Sequence, residues 1–332
     1  PELRLEGVIL NNIAGERHRA LITEAVETYT GLPVLGSVPR IQAIRAQERH
    51  LGLVPVYEHA GPLELVDELG DTMERSLDLE RLLALSGASK GYNRSGSGNA
   101  IVDAFSRTAA PVLEGMDSSH RPRVGVIRDS AFNFYYRENI EALVEAGADI
   151  IPISPLDGAI FPDIDALYIG GGFPETHAGQ LAANGAFNAS LRERIDQGLP
   201  VYAECGGLIY LSSAIRIGER QYPMTGVFPM VFEIASSPQG HGYTVFSVDG
   251  DNPFYTSGSV VRGHEFRYAR IVNRDKLGKL TMVFAMKRGT GITDKKDGAL
   301  YRNTLATFCH PHALSENVTW PEKLVKMALA RI

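Results

Sequence analysis

A chain of 332 residues, 44% of them hydrophobic and 22% charged, is long enough for about two globular domains, each burying its own core. Its 33 basic and 39 acidic residues give a net charge of −6 with no basic block, which argues against a nucleic-acid partner. No apolar run approaches the roughly 20 residues that span a bilayer, and two cysteines give no disulfide framework, so the expected compartment is a reducing cytoplasm.

The chain opens on "PELRLEGVILNN", without an initiator methionine and almost at once in an apolar strand. A parallel strand needs neighbours, so the expectation is a fragment whose upstream part is missing. "EGVILNN" (6–12) predicts a buried strand, and "HRALITEAVETYTG" a helix with Leu21, Ala25 and Tyr29 on one face, stopped by Gly31. "LPVLGSVP" (32–39) completes a β-α-β unit, which implies a parallel sheet. Residues 61–88 read as helical, and "SGASKGYNRSGSGNA" (86–100) has the composition of a linker, so a domain boundary is expected between about 88 and 121.

"RVGVIRD", "DIIPISP", "DALYIGGG" (165–172) and "LPVYAEC" then predict strands, separated by helices at "NIEALVEAGAD" and "HAGQLAANGAFNASLRERIDQG". "GGLIYLSSAI" predicts another helix, followed by short strands around 222–234, 242–248, 259–262, 281–287 and 299–309. The fold class expected is doubly wound α/β, with the strand ends at 170–172 and 205 on one side of the sheet, where ligands bind. "NVT" at 317–319 is read as a chance match to a glycosylation acceptor.

The chemistry gathers at those strand ends. Cys205 stands between an apolar strand and a helix, followed by Gly206 and Gly207, in the manner of a nucleophile elbow. A helix N-terminus favours thiolate over thiol; the competing reading is a small buried residue at a strand end. The triple glycine at 170–172 offers backbone N–H groups, Gly171 and Gly172 among them, for an oxyanion, next to the amide of Gly206. "LYRNTLATFCHPHAL" (300–314) supplies His310 as candidate base and His312 to orient it or contact substrate. A surface histidine pair, or a metal site from Cys309, His310 and His312, competes with this reading. In "VRGHEFRYA" (261–269), His264 and Glu265 are adjacent polar groups in a strand-like stretch; the plain alternative is a strand salt-bridged to Arg262 or Arg267.

These segments together resemble the cobyrinic acid a,c-diamide synthase family, which carries a class I glutamine amidotransferase domain. "GVILNNIAGERH" and "ERHLGLVP..E" (48–58) are similar to the stretch after the family's ATP-binding core. "DSAFNFYYRENIEALVEAGA" (129–148), "SPL" (154–156), "LYIGGGFPETHAGQLAAN", "LPVYAECGGLIYL" and "RGHEF" follow its amidotransferase half. The resemblance implies four parts: the tail of a dethiobiotin synthetase-like P-loop domain at 1–60, a helical segment and linker at 61–121, the amidotransferase domain at 122–320, and a C-terminal helix at 321–332. It implies that Cys205 attacks the side-chain amide of glutamine, with His310 as base and an oxyanion hole at 170–172 and Gly206. Many class I amidotransferases carry glutamate at the position of His312, so a Cys-His-Glu triad is not expected here.

The ammonia released would amidate the a and c carboxylates of a corrin-type tetrapyrrole, activated as acyl phosphates by ATP and Mg²⁺ in the missing N-terminal domain. His264, Glu265 and His312 are the expected substrate contacts, and Asn11 an adenine contact or a plain strand-end residue. Arg267 and Pro311 depart from the family pattern and are candidates to face the macrocycle. No G-x-x-x-x-G-K-[ST] occurs in these residues, and no metal is expected in the glutaminase half. Amidation of sirohydrochlorin or sirohaem, and a stand-alone thiol hydrolase on the same fold, remain alternatives, and the question of a homodimer stays open.

Overall fold

Val8–Ile13 and Val34–Pro39 pair as parallel strands joined by the helix Glu16–Thr30. The helix ends where Gly31 takes a left-handed φ of 68° and its N–H reaches Glu27 O at 3.1 Å. Leu21, Ala25 and Tyr29 are exposed, whereas Ile22 and Val26 are half-buried. The predicted helical stretch 61–88 is two helices, Pro62–Ser76 and Leu79–Ala88. The chain breaks between them because Asp78 donates its N–H to Leu35 O and caps the second helix at Arg81 N.

This is a computed structural model, and it describes residues 5–41, 48–49, 52–53, 62–88, 121–158 and 160–332. Most of the "ERHLGLVP..E" stretch and of the linker at 86–100 therefore lies outside the described residues. The chain divides into two units, Pro1–Ser97 and Gly98–Ile332.

The second unit is organised by one ten-stranded sheet. Five parallel strands stand in the order Asp149–Ile153, Arg123–Ile127, Ala166–Ile169, Val201–Glu204, Thr304–Thr307. Five antiparallel strands extend them: Lys296–Tyr301, Thr281–Arg288, Gly240–Val248, Val260–Arg267 and the short His310–Pro311. A separate four-stranded sheet holds Ala214–Ile217, Arg220–Pro223, Val231–Ile234 and Ala269–Ile271.

The central parallel strands read as nearly unbroken apolar runs because both faces are covered. On one face Phe187, Leu191, Leu208 and Phe308 pack into a core. On the other, Ile140, Leu143, Tyr168, Tyr202 and Leu324 do so, and the Trp320 ring stacks on Tyr202 at 4.2 Å and 3°. This is the α/β architecture expected. Among the described residues no helix is long and apolar enough to cross a membrane.

Several boundaries differ from the sequence reading for local reasons. The helix after Cys205 is only Gly206–Tyr210, since the Ser212 hydroxyl takes up Ile209 O and the chain turns into the strand Ala214–Ile217. The predicted helix from His177 to Gly198 breaks at Asn184, whose side chain accepts from Phe187 N and starts a new helix, Gly185–Asp196. The apolar stretch 299–309 is a hairpin, turned where Arg302 adopts a φ of 51° and Tyr301 pairs with Thr304. The C-terminal helix is Trp320–Leu329.

Candidate active site

Cys205 sits at the corner between Val201–Glu204 and Gly206–Tyr210 with φ 46° and ψ −95°. A non-glycine residue held at positive φ is strained, and its neighbours must over-determine it. Here its N–H is fixed by Thr307 O at 2.7 Å and its carbonyl by Ile209 N at 3.0 Å. The thiol is 7% exposed, with Sγ 3.8 Å from Phe266 O. The second cysteine contrasts with it. Cys309 is fully buried, its Sγ lies 3.4 Å from Asp297, and burial pushes its pKa well above the ordinary thiol value.

His310 is brought to Cys205 by the sheet. It follows the strand Thr304–Thr307, which lies beside Val201–Glu204 in parallel register, Thr307 opposite Glu204. The imidazole is 3% exposed and its Nδ1 lies 3.0 Å from Glu204 Oε2. Burial by itself would lower its pKa, but hydrogen bonding to Cys205 and Glu204 prevails and raises it above the usual 6.5. Glu204 is raised too, by burial, with the interaction with His310 working in the opposite direction.

Glu204 is the residue the sequence reading missed. The expectation of no Cys-His-Glu arrangement is corrected: the carboxylate beside His310 comes from Glu204, the position before Cys205, not from the position of His312. The signal was present in the alternation of "VYAE", which places Glu204 on the same face as Tyr202, deep in apolar surroundings. A carboxylate there requires a partner.

The three glycines divide the remaining work. Gly171 does not supply an oxyanion donor, because its N–H is bonded to Phe134 O at 3.1 Å. Its lack of a side chain matters instead, since a Cβ would lie 2.7 Å from His310 Cε1. Among the described residues the N–H groups of Gly172 and Gly206 donate to no backbone carbonyl. The two segments touch, for a Cβ on Gly206 would stand 2.9 Å from Gly172 N. These two amides form the oxyanion candidate beside Cys205.

Phe134 and His264 wall the site. The Phe134 ring meets His310 edge-on at 4.8 Å, and His264, opposite His310 in the sheet register, stacks at 5.7 Å. Burial and then the charge of His310 lower the pKa of His264, so it faces the site as a neutral imidazole.

The other expected contacts go elsewhere. Glu265, the next residue on the strand, points to the opposite face, where it is 1% exposed and accepts the N–H groups of Thr290 and Gly291. It anchors a loop rather than contacting substrate, and it is not ion-paired to Arg262 or Arg267. Arg267 is buried over the Phe308 ring and donates to Ala269 O and Gly291 O, so it does not face a ligand. Pro311 is buried and its carbonyl accepts from Asn139.

His312 pairs with Glu138 at 3.2 Å and does not orient His310. Cys309, His310 and His312 thus turn to three different partners, and among the described residues no three His, Cys, Asp or Glu side chains cluster as metal ligands. Asn11, in the first unit, is exposed and accepts the N–H of Asn12.

A thiol, an imidazole, an orienting carboxylate and two convergent amides form the equipment of acyl transfer through a thioester. Comparisons with known proteins give the family. The model of the CobB/CobQ-like glutamine amidotransferase domain matches residues 123–318. A cobyrinate a,c-diamide synthase from Methanosarcina acetivorans is 35% identical over 95% of this chain and 64% of its own length. One from Methanothermobacter thermautotrophicus is 39% identical over 95% of this chain and 66% of its own. One from Archaeoglobus fulgidus is 33% identical over 100% of this chain and 68% of its own. The chain thus spans about two thirds of the length of the curated relatives it matches. On its domain and its relatives, the chain belongs to the cobyrinate a,c-diamide synthase family, with a CobB/CobQ-like glutamine amidotransferase domain.

Proposed function

We propose that this chain carries the glutaminase half of a glutamine-dependent, ATP-driven ligase that amidates tetrapyrrole carboxylates in cobalamin-type biosynthesis. The observation that carries the reading is the strained Cys205 elbow, bonded to the strand that leads to His310, itself held by Glu204. His310 takes the thiol proton of Cys205, and Sγ attacks the side-chain amide carbon of glutamine. The carbonyl oxygen gains negative charge and is received by the N–H groups of Gly172 and Gly206. His310 delivers a proton to the departing nitrogen, which leaves as ammonia, and a γ-glutamyl thioester remains. His310 then takes a proton from water, whose oxygen attacks the thioester, and glutamate leaves with Cys205 restored. Glu204 keeps the imidazole ring in the orientation that faces the sulfur.

Ammonia becomes useful only if an acceptor carboxylate has been activated, since its oxygen is otherwise a poor leaving group. ATP with Mg²⁺ supplies that activation when bound, by phosphorylating the carboxylate. The described residues offer neither a ligand cluster for the metal nor a phosphate-binding loop motif, so no step is assigned to them here. We place that chemistry in the third of the relatives' length that this chain does not match. An adenine contact for Asn11 belongs to the same proposal.

The test is ammonia release from glutamine by this chain and by Cys205→Ala. The parent should release ammonia, and the electrophile diazo-oxo-norleucine should label Cys205 and spare Cys309. Undiminished release by Cys205→Ala would overturn the reading.

A further inference from the structure

His310 accounts for one oxygen of Glu204 and leaves the other. Oε2 meets the imidazole at 3.0 Å, whereas Oε1 is buried and, among the described residues, has no partner within hydrogen-bond distance. A carboxylate taken out of water needs both oxygens satisfied, so the free one calls for a donor. Bonded at one oxygen only, the group also keeps a free torsion, and the ring it holds turns with it.

The strand register shows which donor stands there. Tyr168 on Ala166–Ile169 lies opposite Tyr202 on Val201–Glu204, and Glu204 follows Tyr202 by two, so the three side chains share one face. Tyr168 is fully buried. Burial raises the pKa of Glu204; His310 and then the Tyr168 hydroxyl oppose it, as donors to the ionised form do.

Asn139 decides which way that hydroxyl points. Its Oδ1 accepts the N–H of Ala313 at 2.7 Å, and a backbone N–H only donates, so the orientation of the amide is fixed. The hydrogens of Nδ2 then go to Pro311 O at 3.1 Å and to the Tyr168 oxygen at 3.3 Å. A hydroxyl oxygen that accepts from Asn139 has its own hydrogen left to give, and Glu204 is the acceptor with an oxygen to spare. From the first turn of the helix Arg137–Glu145, one buried asparagine thus holds the backbone just past His310 and turns the phenol toward the carboxylate.

We propose that Tyr168 is a positioning residue for glutamine hydrolysis, its hydroxyl donating to the free oxygen of Glu204 in a relay set by Asn139. The inference rests on the glutaminase reading above and deepens it. With a donor on each oxygen, Glu204 stays ionised and only accepts from Nδ1, which leaves the other ring nitrogen of His310 for the thiol proton of Cys205. A protonated Glu204 would donate to Nδ1 instead and put the imidazole hydrogen on the wrong nitrogen.

Tyr168→Phe removes the hydroxyl and keeps the ring against Trp320, 4.6 Å away. For ammonia release from glutamine by the full chain, kcat should fall roughly tenfold with KM unchanged. The acid limb of the rate profile should move toward higher pH, since Glu204 loses a donor that favours its ionised form. In a Glu204→Gln background the same substitution should cost less than about twofold, because no carboxylate remains for it to keep ionised. Asn139→Asp, which offers the hydroxyl a competing acceptor, should reproduce the shift of the acid limb. Trp320, the one tryptophan of the chain, reads urea unfolding and confirms that each variant is folded.

A fall in rate at every pH alike, or an equal fall in the two backgrounds, would mark a loss of packing and overturn the proposal, as would parent kinetics in Tyr168→Phe. In each of those cases an active parent leaves the glutaminase reading whole. A parent that releases no ammonia would overturn both.

Discussion

Replacing Glu204 with glutamine separates the orienting role of the carboxylate from its place in the packing. The side chains of His310 and Glu204 are 4% and 2% exposed and meet at 3.0 Å, so the bond is charge-assisted and screened from water. Hydrogen bonds to charged groups contribute about 1.5–3 kcal/mol. At about 1.4 kcal/mol per decade in rate, kcat for glutamine hydrolysis should fall roughly tenfold to a hundredfold. KM should move little, since Glu204 does not reach substrate.

A second readout comes from pH. The folded-state pKa of His310 is raised, so the contribution of the protonated pair is complete below the ordinary histidine value and lost as pH rises through the raised one. Losing the carboxylate charge lowers that pKa, and the alkaline limb of the rate profile should shift toward acid. Ammonia release measured across pH, with alkylation of Cys205 as a check that the elbow is intact, decides the matter. An unchanged rate with an unchanged alkaline limb would refute the claim that Glu204 governs the imidazole.

Two further outcomes are expected. Gly206→Ala places a Cβ 2.9 Å from Gly172 N and should separate the two free amides, lowering kcat on the order of a hundredfold or more while Cys205 still reacts with an alkylating agent; full activity would exclude these donors. Asp297 is buried and its pKa is raised to about 6. A carboxyl that binds its proton more tightly when folded loses stability as pH climbs from about 4 to about 6, here by about 3 kcal/mol. Asp297→Asn should flatten that slope in urea unfolding, and a slope that survives would place its origin in another group.

The parallel half of the sheet was legible because strands covered on both faces are continuous apolar runs bounded by glycine, as in "DALYIGGG" and "LPVYAEC". Cys205 could be read from the same pattern, since a polarisable residue followed by two glycines at a strand end has few other uses. His310 followed from its place just beyond an apolar stretch. The antiparallel half was harder to read. Arg302 takes a left-handed conformation with no glycine to announce it, which hid a hairpin inside one apparent strand.

The division between Gly171 and Gly172 was also invisible, because it depends on Phe134 claiming one N–H from a segment nearly forty positions earlier. Glu265 looked functional beside His264, but neighbours on a strand face opposite ways, and only the sheet shows which side carries the chemistry.

The strand Thr304–Thr307 is written late in the chain and inserted beside Val201–Glu204 at the middle of the sheet. Its insertion closes a loop of about a hundred residues, a slow event in a folding chain. A nascent polypeptide still emerging from the ribosome would therefore hold its sulfur long before it holds the imidazole proposed to activate it. On the proposed glutaminase reading, glutamine is safe from hydrolysis until almost all of the unit has been made.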